Sequence, residues 1–194
     1  GFAVNDPKGL ATDPAGHVYV CNYGGDNVAV YTPGGGFIKS FKIKTPQQIS
    51  VNPKTGQMYV LCGRESGYYK FGYNFPEMMH EAKIVRLGPD GKVESEIVLD
   101  PPNMRSRKTP VPVTQPEFQC RMAVDFTDQS RPVVWVGLAT GGGKWGLLRI
   151  EDEGEKFGQP RDVSDVATPK TDIRNRTAVQ GMMARMSIDT RRDI

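Results

Sequence analysis

The chain has 194 residues, 38% hydrophobic and 24% charged, which is the composition of a globular domain and not of a disordered or fibrous one. A net charge of +3 is too small to argue for nucleic acid, and no Lys/Arg stripe with interleaved aromatics occurs. No apolar run approaches the roughly 20 residues that span a bilayer, and the chain does not open on a basic region followed by an apolar stretch.

From the N-terminus, Pro7 to Asp13 reads as a strand, Pro14-Ala-Gly16 as a turn, and His17 to Asn22 as a second strand of alternating polarity. Tyr23-Gly-Gly-Asp26 turns the chain. Asn27 to Tyr31 and Phe37 to Ile43 are two further strands about a Pro33-Gly-Gly-Gly36 turn. Four short strands with turn residues between them predict an antiparallel meander. The same plan follows in Pro46–Asn52, Gln57–Cys62, Lys83–Leu87 and Lys92–Leu99, and again in Phe118–Asp125, Val133–Ala139, Gly146–Ile150 and Lys156–Val163.

These meanders share a phrase. It reads Leu10-Ala-Thr-Asp13, Ile49-Ser-Val-Asn52, Met122-Ala-Val-Asp125 and Met186-Ser-Ile-Asp189, at spacings of 39, 73 and 64 residues. The shortest spacing is close to the pitch of propeller repeats, about 40 residues, and the longer two carry insertions. The expected fold class is all-β: a β-propeller of four-stranded antiparallel blades, about three blades plus a partial fourth. As one propeller segment over 1–194, the blades are expected at about 7–43, 46–99, 118–163 and 185–194 (partial), with insertions at 63–82, 100–117 and 164–181.

The first repeat carries a resemblance. Pro7-Lys-Gly-Leu-Ala-Thr-Asp13, Gly16 and Val18-Tyr-Val-Cys-Asn22, echoed by Pro46-Gln-Gln-Ile-Ser-Val-Asn52 and Met58-Tyr-Val60, resemble the NHL-repeat family of β-propellers. That resemblance implies a ring of usually six blades, so three and a fragment would be part of a longer polypeptide or completed by a partner. It also implies secreted or periplasmic relatives that include protein-binding modules, sensor domains, lactonases and amidating lyases.

In antiparallel blades the long insertions all fall on one face, and insertions on one face of a repeat protein often mark its binding face. The first insertion is rich in aromatics and Met, with Tyr68, Tyr69, Tyr73 and His80, which suits an interface as well as it suits packing on its own blade. The second is basic, with Arg105 and Arg107, which suits an anionic partner surface or a solvated crossover. Arg121 and Arg185 each precede the Met of the phrase on an innermost strand, where a cationic channel site for a small anionic ligand would form. Gly9 and Gln48 at the same register leave such a ring incomplete.

Other motifs are weak. Thr140-Gly-Gly-Gly-Lys-Trp145 lacks phosphate-loop spacing and reads as a β-turn. His17 in a turn and His80 in an insertion are isolated and make no metal set by spacing, with His80, Glu77 and Glu81 as the competing cation-binding reading; no cofactor is evident, and a channel metal in a full propeller would be divalent. Three cysteines without CxxC read as small buried hydrophobes, with a disulfide through Cys120 as the competing reading. The expectation is a non-catalytic protein- or ligand-binding scaffold using the long-loop face, whose partner is another protein or the remaining blades. The alternative is a lactonase- or lyase-type enzyme whose channel metal comes mainly from blades outside this chain.

Overall fold

The computed structural model describes residues 3–70, 73–99, 119–139 and 145–163. These form twelve strands and a single 3-10 turn at Tyr23–Gly25. The first sheet holds β1 (Pro7–Thr12), β2 (Val18–Asn22), β3 (Asn27–Tyr31) and β4 (Phe37–Lys42) in that spatial order. The second holds β5 (Pro46–Val51), β6 (Met58–Lys70), β7 (Tyr73–Leu87) and β8 (Val93–Val98). The third holds β9 (Gln119–Asp125), β10 (Val133–Ala139), β11 (Trp145–Glu151) and β12 (Arg161–Asp162). The fold is therefore all-β, three four-stranded antiparallel meanders in the organisation of a partial β-propeller. The expected fourth blade, 185–194, lies outside the described residues.

Two compact units are present. One comprises 1–63, 83–98 and 154–157, the other 64–82, 99–153 and 158–194. In the first unit the two sheets pack face to face. Side chains alternate across each strand, so Cys21, Val28, Val30, Phe41 and Ile43 turn one way. They meet Ile49, Val51, Met58, Val60, Cys62, Val85 and Leu87 of the second sheet in one buried cluster. Gly91, at φ +83° in the β7–β8 turn, lies against the Phe41 ring, where a Cβ would collide with it.

On its other face the second sheet holds Tyr59, fully buried, with the Phe157 ring edge-on at 6.3 Å. The Arg86 guanidinium lies 5.9 Å from the centre of the Phe157 ring. Its Nε donates to Glu94 Oε2 at 3.1 Å, and its Nη2 donates to the Gly154 carbonyl. Arg86 is only 4% exposed, and a charge buried that deeply is tolerated because it is paired and hydrogen-bonded.

In the second unit β9, β10 and β11 are in unbroken register, Met122 opposite Val136 opposite Leu148 and Val124 opposite Val134 opposite Ile150. All six of these side chains are buried.

Two expectations are corrected. The 63–82 insertion is not a loop: β6 runs on to Lys70 and β7 begins at Tyr73, so the segment is a two-stranded antiparallel ribbon. Its Tyr- and Phe-rich composition favours extended pairing, a preference outweighed in the prediction by the mere length of the insert. The last strand of the third sheet spans only Arg161–Asp162, not Lys156–Val163. Gly154, Gly158 and Pro160 interrupt it, and Phe157 is buried against Tyr59 in place of pairing.

Candidate functional site

The three described copies of the phrase each open a sheet, and their polar last residue closes the first turn. The Asp13 carboxylate accepts from the His17 backbone N–H at 2.9 Å. Asn52 Oδ1 accepts from the Lys54 and Thr55 N–H groups at 3.0 and 3.2 Å, and Asp125 Oδ1 accepts from the Thr127 N–H at 2.9 Å. Asp and Asn favour such turns because a short side chain can stand in for a backbone acceptor. The most regular polar residue of the repeat is thus a turn former.

Only the first copy elaborates the turn with further titratable groups. His17 Nδ1 lies 2.8 Å from Asp13 Oδ2, and the Tyr19 hydroxyl donates to the same oxygen at 3.3 Å. Burial opposes ionisation of Asp13. The hydrogen bonds from the His17 ring and backbone, the His17 charge and the Tyr19 hydroxyl outweigh it and hold the carboxyl below its usual range. Burial, then the charge and hydrogen bond of Asp13, push the Tyr19 phenol up. The result is an imidazole oriented by a carboxylate at a partly exposed turn. Sequence reasoning left this trio unread, although Asp, His four on and Tyr six on are what a two-strand turn brings together.

The first strand of each sheet, β1, β5 and β9, carries the position predicted to line a channel. Gly9 of β1 and Gln48 of β5 are half-buried, and Gln48 is paired with Leu61 across β5–β6. The neighbouring Gln47 is 5% exposed, and its Nε2 donates to the Gly63 carbonyl at 3.0 Å. Arg121 of β9 stands opposite Gly137, half-buried, with Nη1 donating to the Cys120 carbonyl at 3.1 Å. The register is therefore Gly, Gln, Arg in the three described copies. The fourth, Arg185, lies outside the described residues, as do Arg105 and Arg107. Tyr68 and Tyr69 lie on β6, Tyr73 and His80 on β7, so the ribbon carries all four, and their side chains lie outside what is described.

The glycine run 140–144 joins β10 to β11, Ala139 paired with Trp145, so a strand and not a helix follows it. Cys21, Cys62 and Cys120 are free and buried. Burial raises all three thiols, Cys62 to about 12. Among the described residues no group of three or more His, Cys, Asp or Glu is placed to hold a metal ion.

No protein-family model matches the chain, and no curated protein does. Among solved structures it is similar to a streptogramin B lyase, at 11% identity and a TM-score of 0.33 over 84% of this chain and 70% of that one. It is similar at 10% identity and 0.33 to a virginiamycin B lyase from Staphylococcus aureus, over 84% and 71%. It is similar at 11% and 0.29 to a PQQ-bound aldose sugar dehydrogenase from Streptomyces coelicolor, over 82% and 81%. Likeness at this level assigns neither a family nor an activity.

Proposed function

We propose that this chain is a segment of an NHL-like propeller that works as a non-catalytic binding or scaffold module. The observation that carries the reading is the β6–β7 ribbon. Pairing between β5 and β6 ends at Cys62 and pairing between β7 and β8 starts at Lys83, yet β6 and β7 run on to Lys70 and from Tyr73. A ribbon of this kind is unneeded for a four-stranded sheet, since the first sheet closes its β2–β3 connection at Tyr23–Asp26. Its Tyr- and Met-rich sequence has the composition of an interface core. The inserts 100–117 and 164–181, expected from the repeat on the same face, lie outside the described residues. The module's partner is a protein, the remaining blades included, and an anionic small ligand suits the Arg121 register. The resemblance to NHL repeats supports a secreted or periplasmic setting.

The test replaces residues 65–80 by Asn-Gly, a two-residue hairpin turn. The expected outcome is an intact sheet by circular dichroism with loss of a partner that the unaltered chain recovers from extracts of the source cells. Equal recovery by both chains refutes the reading. The competing lactonase- or lyase-type reading requires a channel metal, so a stoichiometric divalent ion in the purified full-length protein also refutes it.

A further inference from the structure

Two of the three cysteines are one position out of step in the repeat. Val20 stands opposite Leu10 as Val60 stands opposite Ile49, so Cys21 is one residue past that pair and Cys62 is two past it. Successive side chains of a strand point to opposite faces of the sheet. Cys21 therefore turns with Tyr19 toward the second sheet, and Cys62 turns with Met58 and Val60 toward the first. Cysteines in step would both look the same way. The offset of one residue makes these two look at each other.

Both lie at the same end of the packed sheets. Asn22, next to Cys21, is paired with Pro7 at the start of β1, and Cys62 is paired with Pro46 at the start of β5. The backbones of the two sheets approach closely at this end. Gly9 makes a backbone hydrogen bond to the Cys21 thiol, and a Cβ on Gly9 would lie 2.6 Å from the carbonyl oxygen of Gln47, the neighbour of Pro46. Cys21 and Cys62 belong to one buried cluster, at 0% and 1% exposure. After burial itself, the charge of Cys62 is what most opposes ionisation of Cys21, so each lies within the other's field. Cys120 belongs to the other unit.

We propose that Cys21 and Cys62 are a redox pair, which a small-molecule disulfide oxidises to a covalent staple between the first and second sheets. One thiolate attacks the small disulfide and releases a small thiol. The second thiolate then displaces the other small thiol from the mixed disulfide. The two cysteines lose two protons and two electrons as their S–S bond forms, and the small disulfide takes them up as it becomes two thiols. The free thiols of the structure are the reduced state of the pair. Burial holds both un-ionised in the closed chain, Cys62 at about 12, and the thiolate is the attacking species. The exchange therefore runs while the sheets are apart, during folding, and the closing of the sheets selects the pair.

The experiment reduces the chain in urea and dilutes it into buffer containing glutathione disulfide and glutathione. Remaining thiols are alkylated, and the bonded peptides are identified by mass. The Cys21–Cys62, Cys62–Cys120 and Cys21–Cys120 spacings are 41, 58 and 99 residues. In urea, loop closure alone makes the first pairing about as abundant as the other two combined, whereas in folding buffer it should exceed them by at least about tenfold. Cys120 is then recovered alkylated. The stapled chain should melt roughly 5–15 °C above the reduced chain, and a reductant should abolish the difference. Three alkylated cysteines after folding in the glutathione buffer overturn the proposal. So does a set of pairings equal to that in urea, or a stapled chain that melts no higher than the reduced one.

Discussion

The approach of β1 to β5 leaves no room for a side chain at Gly9. A Cβ there would lie 2.6 Å from the Gln47 carbonyl oxygen and 2.8 Å from the Gln48 Cα. Both obstacles are backbone, so no rotamer change relieves the contact, and the two innermost strands must separate by several tenths of an ångström. Gly9 does not need a left-handed backbone, so its substitution reports packing alone. Overpacking of this kind costs about 1–3 kcal/mol, and the loss of glycine's freedom in the unfolded chain returns about 0.4–1 kcal/mol. Gly9→Ala should therefore destabilise by about 1–2 kcal/mol, roughly 2–8 °C in Tm for a chain of this size. The control is Gly34→Ala, where the nearest atom to a Cβ is Thr32 Oγ1 at 3.9 Å. It should fall within about 0.5 kcal/mol of the parent. Urea and thermal melts followed by circular dichroism measure both. If Gly9→Ala melts with the parent, or with Gly34→Ala, the two sheets do not meet along their innermost strands as described.

The Asp13 turn has a pH signature. Because the folded carboxyl titrates below its ordinary value, its contribution is fully present above about pH 4 and is lost as pH falls through the lowered folded value. Asp13→Ala should cost about 1–3 kcal/mol at neutral pH, and the gap from the parent should close on acidification in urea melts at a series of pH values. A gap constant down to pH 2 would show that the charge plays no part. The thiols give a second check. Cys62, raised from 9.0 to about 12, carries about a thousandfold less thiolate near pH 8 than an ordinary cysteine. Ellman's reagent should find no fast-reacting thiol at Cys21, Cys62 or Cys120 in the native chain and all three after denaturation, and a fast native thiol among them would contradict their burial.

Much of this fold is legible in local chemistry. Period-two alternation marks β2 and β3, and Gly and Pro clusters mark the turns between strands. The recurrent Leu10-Ala-Thr-Asp13 phrase announces the start of each sheet, because a strand must end in a turn and Asp or Asn makes that turn cheaply. The strand content of 63–82 was not legible, because an aromatic-rich insert reads equally as ribbon or loop until pairing between its two halves is seen. The short β12 was not legible either, since Phe157 is drawn to Tyr59, nearly one hundred residues earlier in the chain.

The candidate sites divide the same way. Arg121 was identified from its place in the repeat, and β9 is an edge strand of its sheet, as β1 and β5 are of theirs. The Asp13–His17–Tyr19 trio and the 69% exposure of Leu10 needed coordinates. Composition and periodicity are properties of neighbours along the chain, and they fixed which residues become strands and which side of a strand each faces. Whether a given side is covered depends on surfaces brought together from far apart in sequence, which is why Ile49 and Leu10, alike in the repeat, end in opposite environments.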